Sequence, residues 1–311
     1  MATESEIDTT RSLARRLATI PGLEIRESEP LSRHTSFGIG GPADVLAIPS
    51  SPLALTELVR TAAELAVGPL YLGNGTNLIV RDGGIRGLVV RMAGGLAGIN
   101  VEGTMAVVEA GAPLASVCFQ CARRGLAGLE FAAGIPGTLG GALIMNAGAN
   151  GGEIGDITQW VEVVAPHGAI ERLRSDELDF GYRRSALRQR GLAVLRAGLH
   201  LEPSDPELIH CRLCDAMAAR CSTQPVSMPS AGCIFKRPQG DYAGRLLEEA
   251  GAKGMRVGGA AVSTKHANFV VNRGGATASD VIELIERVRD LVHDRFGIML
   301  EPEVCITGEE R

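Results

Sequence analysis

Aromatic residues are scarce: they make up 4% of the 311-residue chain, with one Trp and three Tyr. A core of this composition is aliphatic, with main chains packed closely. No apolar run of membrane-spanning length occurs. The opening Met1-Ala2-Thr3-Glu4-Ser5-Glu6 is polar and acidic, with no apolar segment behind it. The expectation is a cytoplasmic protein with no membrane partner. No Lys/Arg stripe stands out, and the net charge is −5 with a pI near 5.8. Nucleic acid and anionic membrane are therefore poor partners. The seven cysteines are an odd number and are expected reduced. Cys118-Cys121 and Cys211-Cys214, with His210 and Cys221 nearby, have a zinc-like spacing. Both pairs fall in helical patterns, where residues three apart share a face and a small buried hydrophobe serves equally well. No metal site is expected.

What the chain has in excess is glycine, 40 residues, within a composition 45% hydrophobic and 22% charged. The length allows two or three domains. Glycine is densest from Gly134 to Gly152, at 134, 137, 140, 141, 148, 151 and 152. Such density costs backbone entropy. It suits either a crowded packing corner or main-chain amides left bare for an anion such as a diphosphate. Pro136 sets the approach, and Thr138 can cap a short helix. A second cluster, Gly73-Asn74-Gly75-Thr76-Asn77, lies between the short strands 70–72 and 78–80. It lacks the third glycine and the long helix of a dinucleotide fingerprint. A phosphate nest and a hairpin turn both remain open there.

In chain order, helices are predicted over 9–19, 53–65, 117–123, 206–220, 242–250 and 279–296. Strands are predicted over 45–48, 87–92, 107–110, 160–165, 193–201, 268–272 and 300–306. Ile209, Leu213 and Met217 form the apolar face of the 206–220 helix. Ser279 is the expected cap of the last helix and Gly297 its stop. The class is α+β with mixed sheets.

Several stretches then line up: Thr35-Ser36-Phe37-Gly38-Ile39-Gly40-Gly41-Pro42-Ala43, Gly73 to Leu78, Gly134 to Gly152, Tyr182-Arg183-Arg184-Ser185, Ala231 to Pro238, Lys265-His266-Ala267-Asn268-Phe269 and Leu300-Glu301-Pro302-Glu303-Val304. In this order they resemble the UDP-N-acetylenolpyruvoylglucosamine reductases, flavoenzymes of bacterial peptidoglycan synthesis. The resemblance spans about Thr35 to Val304. It implies a two-part flavin domain of the vanillyl-alcohol oxidase (PCMH) type, with subdomains at 1–84 and 85–222, then an α+β substrate domain at 223–302. The terminal segment 303–311 would return to the first subdomain. It also implies non-covalent FAD, NADPH as reductant and UDP-N-acetylglucosamine enolpyruvate as substrate. The short connection from Arg183 to Cys233 resembles the family's second type, which omits a tyrosine-bearing loop.

By the same resemblance, Gly73, Asn74, Gly75, Thr76, Asn77, Gly134, Ile135, Pro136, Gly137, Thr138, Gly140, Gly141, Asn146 and Ala147 hold FAD. Lys236, Arg237, Lys265, His266 and Asn268 bind the UDP-sugar. Arg183, Cys233 and Glu303 fall at the catalytic positions. The chemistry of the residue types agrees. A guanidinium stays charged and grips a carboxylate with two bonds. Cys233 stands where the family usually has serine, and a thiol is a stronger acid than an alcohol. Glu303 beside a forming dianion must be protonated or act through water or Arg183. The plainer alternatives are a surface arginine, a small buried thiol and a surface glutamate.

Overall fold

The computed structural model describes residues 4–310. Met1, Ala2, Thr3 and Arg311, at the ends of two of the expected segments, lie outside the described residues. The chain forms two compact units. Unit 1 takes the residues up to Ser28, then Asp44–Asn74 and Gly87–Ala218. Unit 2 takes Glu29–Ala43, Gly75–Arg86 and the chain from Ala219 on.

Unit 1 is built on a five-stranded antiparallel sheet. Its order is Ile170–Arg174, Thr158–Val164, Ala193–His200, Met105–Glu109, Ile99–Glu102. Val161, Val163, Leu195, Ala197 and Leu199 are fully buried in the aliphatic core that the composition demands. The single Trp fits because Gly198 stands opposite it; a Cβ there would lie 2.3 Å from the Trp160 ring. The helix Pro52–Glu64 is capped by Ser51, which accepts from the Ala54 amide at 3.1 Å. The helix Leu114–Arg123 buries Cys118 and Cys121. Burial pushes their thiols up to about 12 and about 11, so these two are the inert small hydrophobes of the helical reading. Cys211 and Cys214 are exposed instead. On their helix, Pro206–Thr223, Ile209 and Leu213 are buried but Met217 is 37% exposed, so the apolar face stops one turn earlier than predicted. Among the described residues no three metal-ligating side chains converge.

The hairpin alternative at Gly73–Asn77 is overturned. Leu70–Leu72 pairs in parallel with Ile85–Arg91, and Leu78–Val80 pairs in parallel with Cys305–Thr307. Hairpin strands are antiparallel and pair with each other. The glycine cluster is instead where the chain leaves unit 1 for unit 2.

Unit 2 carries the antiparallel sheet Ser230–Cys233, Phe269–Asn272, Ala260–Val262, Arg256–Val257. The helix Ala278–Phe296 packs Val281, Leu284, Ile285, Val288 and Val292 into that unit's core. Its cap is Thr277, not Ser279. Thr277 accepts from the Asp280 amide at 3.1 Å, and the Asp280 carboxylate accepts the Thr277 amide at 2.9 Å. Ser279 lies inside the first turn and its hydroxyl donates to Asp82 at 2.7 Å. Gly297, at φ 69°, ends the helix as predicted. The last strand is shorter than predicted, covering only Cys305–Thr307. Pro302 offers no N–H, and the preceding residues lie along another segment, described below.

Candidate active site

In unit 1 the two glycine clusters meet. A Cβ on Gly73 would sit 2.5 Å from the Thr138 hydroxyl, so only glycine fits. Thr138 starts the helix Leu139–Met145 and accepts from the Gly141 amide at 3.4 Å. The amides of Leu139 and Gly140 are not bare. They donate to Ala112 at 3.0 Å and Ala110 at 2.8 Å, and a Cβ on Gly140 would press on Ala110 at 3.0 Å. Ile135 donates to Ala132 at 3.0 Å. Gly140 is thus a packing-corner glycine, and the amides of Ile135, Gly140 and Gly141 are used inside the protein. Pro136 and Gly141 are exposed, and a Cβ on Gly141 would find only Thr138 in reach, at 3.7 Å. A turn with no side chain and open space before it fits the close approach of a dinucleotide.

Arg183 sits in the two-residue turn that joins Gly181 to Arg184 through paired bonds of 3.0 and 2.9 Å. Its backbone is left-handed, at φ 54°, which is strained for an arginine. Its Nη1 donates to the Gly148 carbonyl at 3.4 Å, and its guanidinium lies 5.3 Å from the Tyr182 ring centroid. Asn146 holds that turn. It is 2% exposed and left-handed itself, at φ 43°. Its Nδ2 donates to Glu153 at 2.6 Å and to the Gly181 carbonyl at 3.1 Å, while its Oδ1 accepts from the Gly155 amide at 2.9 Å. The Asn146 amide is therefore committed to positioning the arginine turn. Ala147 likewise bonds within the protein, donating to Ala142 at 2.8 Å.

In unit 2, Cys233 and Glu303 are anchored on adjacent segments. The Glu303 amide donates to the Ile234 carbonyl at 2.7 Å, and the Lys236 amide donates to Glu301 at 2.8 Å. The Glu303 carbonyl accepts from Asn77 Nδ2 at 3.2 Å. The Cys305 amide donates to Asn77 at 3.0 Å. This is why Glu301–Val304 forms no strand with Leu78–Val80: it is engaged with the Ile234–Lys236 segment. Gly75 is fixed at φ 59° where a Cβ would meet the His34 carbonyl at 2.5 Å, and its own carbonyl accepts from the Ser36 amide at 3.1 Å. Thr76 lies beside Gly232, 3.8 Å from the position a Cβ would take there. Gly75, Thr76 and Asn77, Cys233 and Glu303 thus share one framework.

The cations follow. Lys236 pairs with Glu301, and Lys265 donates to the Cys221 carbonyl at the end of the Pro206–Thr223 helix. Arg237 stacks over Tyr242 at 4.0 Å. His266 accepts the Asn268 amide on Nδ1 at 3.2 Å, so its Nε2 carries the hydrogen and is the donor. Burial, and then Lys253, lowers the His266 pKa, so the ring is neutral at pH 7. Asn268 is different. Its side chain receives the Phe235 amide at 3.0 Å and donates to the Phe235 carbonyl at 2.8 Å. It is a buried clasp that sets the segment between Cys233 and Lys236, with its amide already satisfied. Arg220 escaped the sequence reading. Burial lowers its pKa, and Cys233 and Cys221 raise it. Its only sequence signal was its place at the end of a helix, which marks nothing.

Residues 43–174 match the family described as an FAD binding domain, and residues 224–307 match the UDP-N-acetylenolpyruvoylglucosamine reductase C-terminal domain. A UDP-N-acetylenolpyruvoylglucosamine reductase from Rubrobacter xylanophilus is 49% identical over 90% of this chain and 94% of its own length. One from Symbiobacterium thermophilum is 47% identical over 95% of this chain and 97% of its own. The crystal structure of the reductase from Thermus caldophilus superposes with a TM-score of 0.79 at 39% identity, over 91% of this chain and 98% of that one. With its flavin-domain signature, its C-terminal domain and relatives of this identity along nearly its whole length, the chain belongs to the UDP-N-acetylenolpyruvoylglucosamine reductase family.

Proposed function

We propose that this chain reduces UDP-N-acetylglucosamine enolpyruvate to UDP-N-acetylmuramate with NADPH, through non-covalently bound FAD. The setting is the cytoplasm, in the synthesis of the peptidoglycan precursors on which cell shape and division depend. The observation that carries the reading is the framework of unit 2, where backbone bonds tie the Glu303 segment to the residues following Cys233 and to Asn77.

For FAD, Gly73, Gly137 and Gly141 bring no side chain to the approach, and Asn74, Gly75, Thr76, Asn77 and Thr138 are the further residues assigned to it. Bound FAD would supply the hydride chemistry, from NADPH to the terminal vinyl carbon of the enolpyruvyl ether. The protein's own residues handle the charge and the proton. Negative charge builds on the carbon beside the carboxylate as the vinyl group becomes a methyl group. Arg183 grips the carboxylate as that charge spreads into it. Cys233 gives its thiol proton to the carbon, completing the lactyl ether, and regains one from solvent. Glu303 acts in its protonated form, or through a water, since an ionised carboxylate would repel the dianion. Lys236, Arg237 and Lys265 take the diphosphate and His266 donates from Nε2. Asn268 contributes by holding the Phe235 backbone.

The test is anaerobic. NADPH should bleach the flavin of the purified protein, and UDP-N-acetylglucosamine enolpyruvate should restore it, whereas a small hydroxy acid should not. Reduced flavin that the UDP-sugar leaves unchanged would remove the proposed reaction.

A further inference from the structure

In a chain so poor in aromatic rings, Tyr242 is 59% exposed, and it is the exposed aromatic side chain among the described residues of unit 2. A ring left in water contributes little to folding. Yet this one is held in place. The Arg237 guanidinium covers one of its faces at 4.0 Å from the centroid. The Tyr242 amide donates to Asp241 at 2.7 Å, and the Asp241 carboxylate is gripped in turn by Arg245. Its backbone is extended, at φ −119° and ψ 126°, immediately before the helix Ala243–Glu249. That helix rests on the donor cluster: a Cβ on Gly244 would lie 3.1 Å from the His266 ring and 3.9 Å from Asn268. Tyr242 is therefore an aromatic plate held against Arg237, at the start of the helix whose Gly244 meets His266.

We propose that Tyr242 is the stacking platform for the uracil ring of the substrate, with Arg237 fixing the plane of the tyrosine. This rests on the reading that Lys236, Arg237, Lys265 and His266 take a nucleoside diphosphate. A base attached to a diphosphate held by those donors lies within a ribose length of them. Its flat face needs an apolar plane rather than another charge. An aromatic ring supplies that plane with few rotatable bonds to freeze, and the arginine behind it removes the remaining freedom.

The experiment is calorimetric titration of the FAD-loaded protein with UDP and, separately, with inorganic pyrophosphate. Stacking of one base on one ring sets the expected loss: Tyr242→Ala should bind UDP about ten- to hundredfold more weakly and pyrophosphate as the unaltered protein does. Tyr242→Phe keeps the ring and should hold UDP within about twofold. Three results overturn the proposal: UDP affinity unchanged in Tyr242→Ala, pyrophosphate weakened as much as UDP, or Tyr242→Phe as impaired as Tyr242→Ala. Failure of the unaltered protein to bind UDP or pyrophosphate removes the diphosphate reading itself. Failure of the inference alone shows only in the variants.

Discussion

Asn146 offers the sharpest test of how the arginine turn is held. Replacing it with alanine removes three hydrogen bonds, to Glu153, to the Gly181 carbonyl and from the Gly155 amide. At about 1 kcal/mol each, the bonds are worth roughly 3 kcal/mol, with the Glu153 carboxylate left short of a donor. Alanine must also adopt φ 43°, where asparagine is tolerated better, at a cost of about 1 kcal/mol. Asn146→Gly is the control, because glycine takes that backbone without strain and loses only the bonds. A loss of about 4 kcal/mol in a unit of this size lowers the melting temperature by roughly 8–16 °C, and the glycine variant should recover about a quarter of it. Thermal unfolding followed by circular dichroism reads this directly. The catalytic consequence is separate. With the Asn146 bond to the Gly181 carbonyl gone, the Arg183 turn keeps only its Gly181–Arg184 pairing, so transfer to the enolpyruvyl group slows by tenfold or more while flavin reduction by NADPH holds. If both variants melt within about 2 °C of the parent and turn over normally, Asn146 does not position Arg183 and the reasoning fails.

Four further outcomes are expected. Arg183→Ala retains reduction of the flavin by NADPH and loses about 10²–10³ in transfer to the UDP-sugar, read by stopped-flow absorbance; unchanged turnover refutes the assignment. Cys233→Ser stays active with its pH–rate profile displaced, since an alcohol and a thiol release protons over different ranges; superimposable profiles count against Cys233 as the donor. Gly73→Ala, whose Cβ would lie 2.5 Å from the Thr138 hydroxyl, purifies with little flavin, and a fully yellow variant contradicts the glycine corner. Burial and Lys253 hold the His266 pKa below its ordinary 6.5. A lowered folded value means stability that is present above 6.5 and lost as the pH falls through it. Acidification from neutral should therefore lower the melting temperature more in the parent than in His266→Gln, and equal slopes would sink that inference.

The elements that the sequence announces are those with a strong local cause. The 279–296 helix has a periodic apolar face and a glycine stop, and it forms with both. Its cap was misassigned because Thr277 and Ser279 are equally able by type, and only the pairing of Asp280 with Thr277 decides between them. Gly73-Asn74-Gly75 reads as a hairpin turn until the strands on either side choose other partners, more than 200 residues apart in the case of Leu78 and Cys305. Long-range pairing of this kind leaves no mark at the turn. Arg183, Cys233 and Glu303 are candidates through resemblance alone. Composition favours a surface arginine, a buried thiol and a surface glutamate at those places. What the residues alone did not reveal is the support beneath them. Asn146 and Asn268 look like polar ligand contacts, yet each makes its side-chain bonds within its own unit.

The measurement closest to the centre of the account is single-turnover kinetics of Cys233→Ala under anaerobic conditions, with the reaction run in deuterated water for the parent. The account predicts that the variant's flavin is reduced by NADPH at the parent's rate and is not reoxidised by the UDP-sugar. It predicts solvent deuterium in the parent's product on the carbon that bears the carboxylate. A variant that reoxidises as fast as the parent, or a parent product with no solvent deuterium on that carbon, would contradict it.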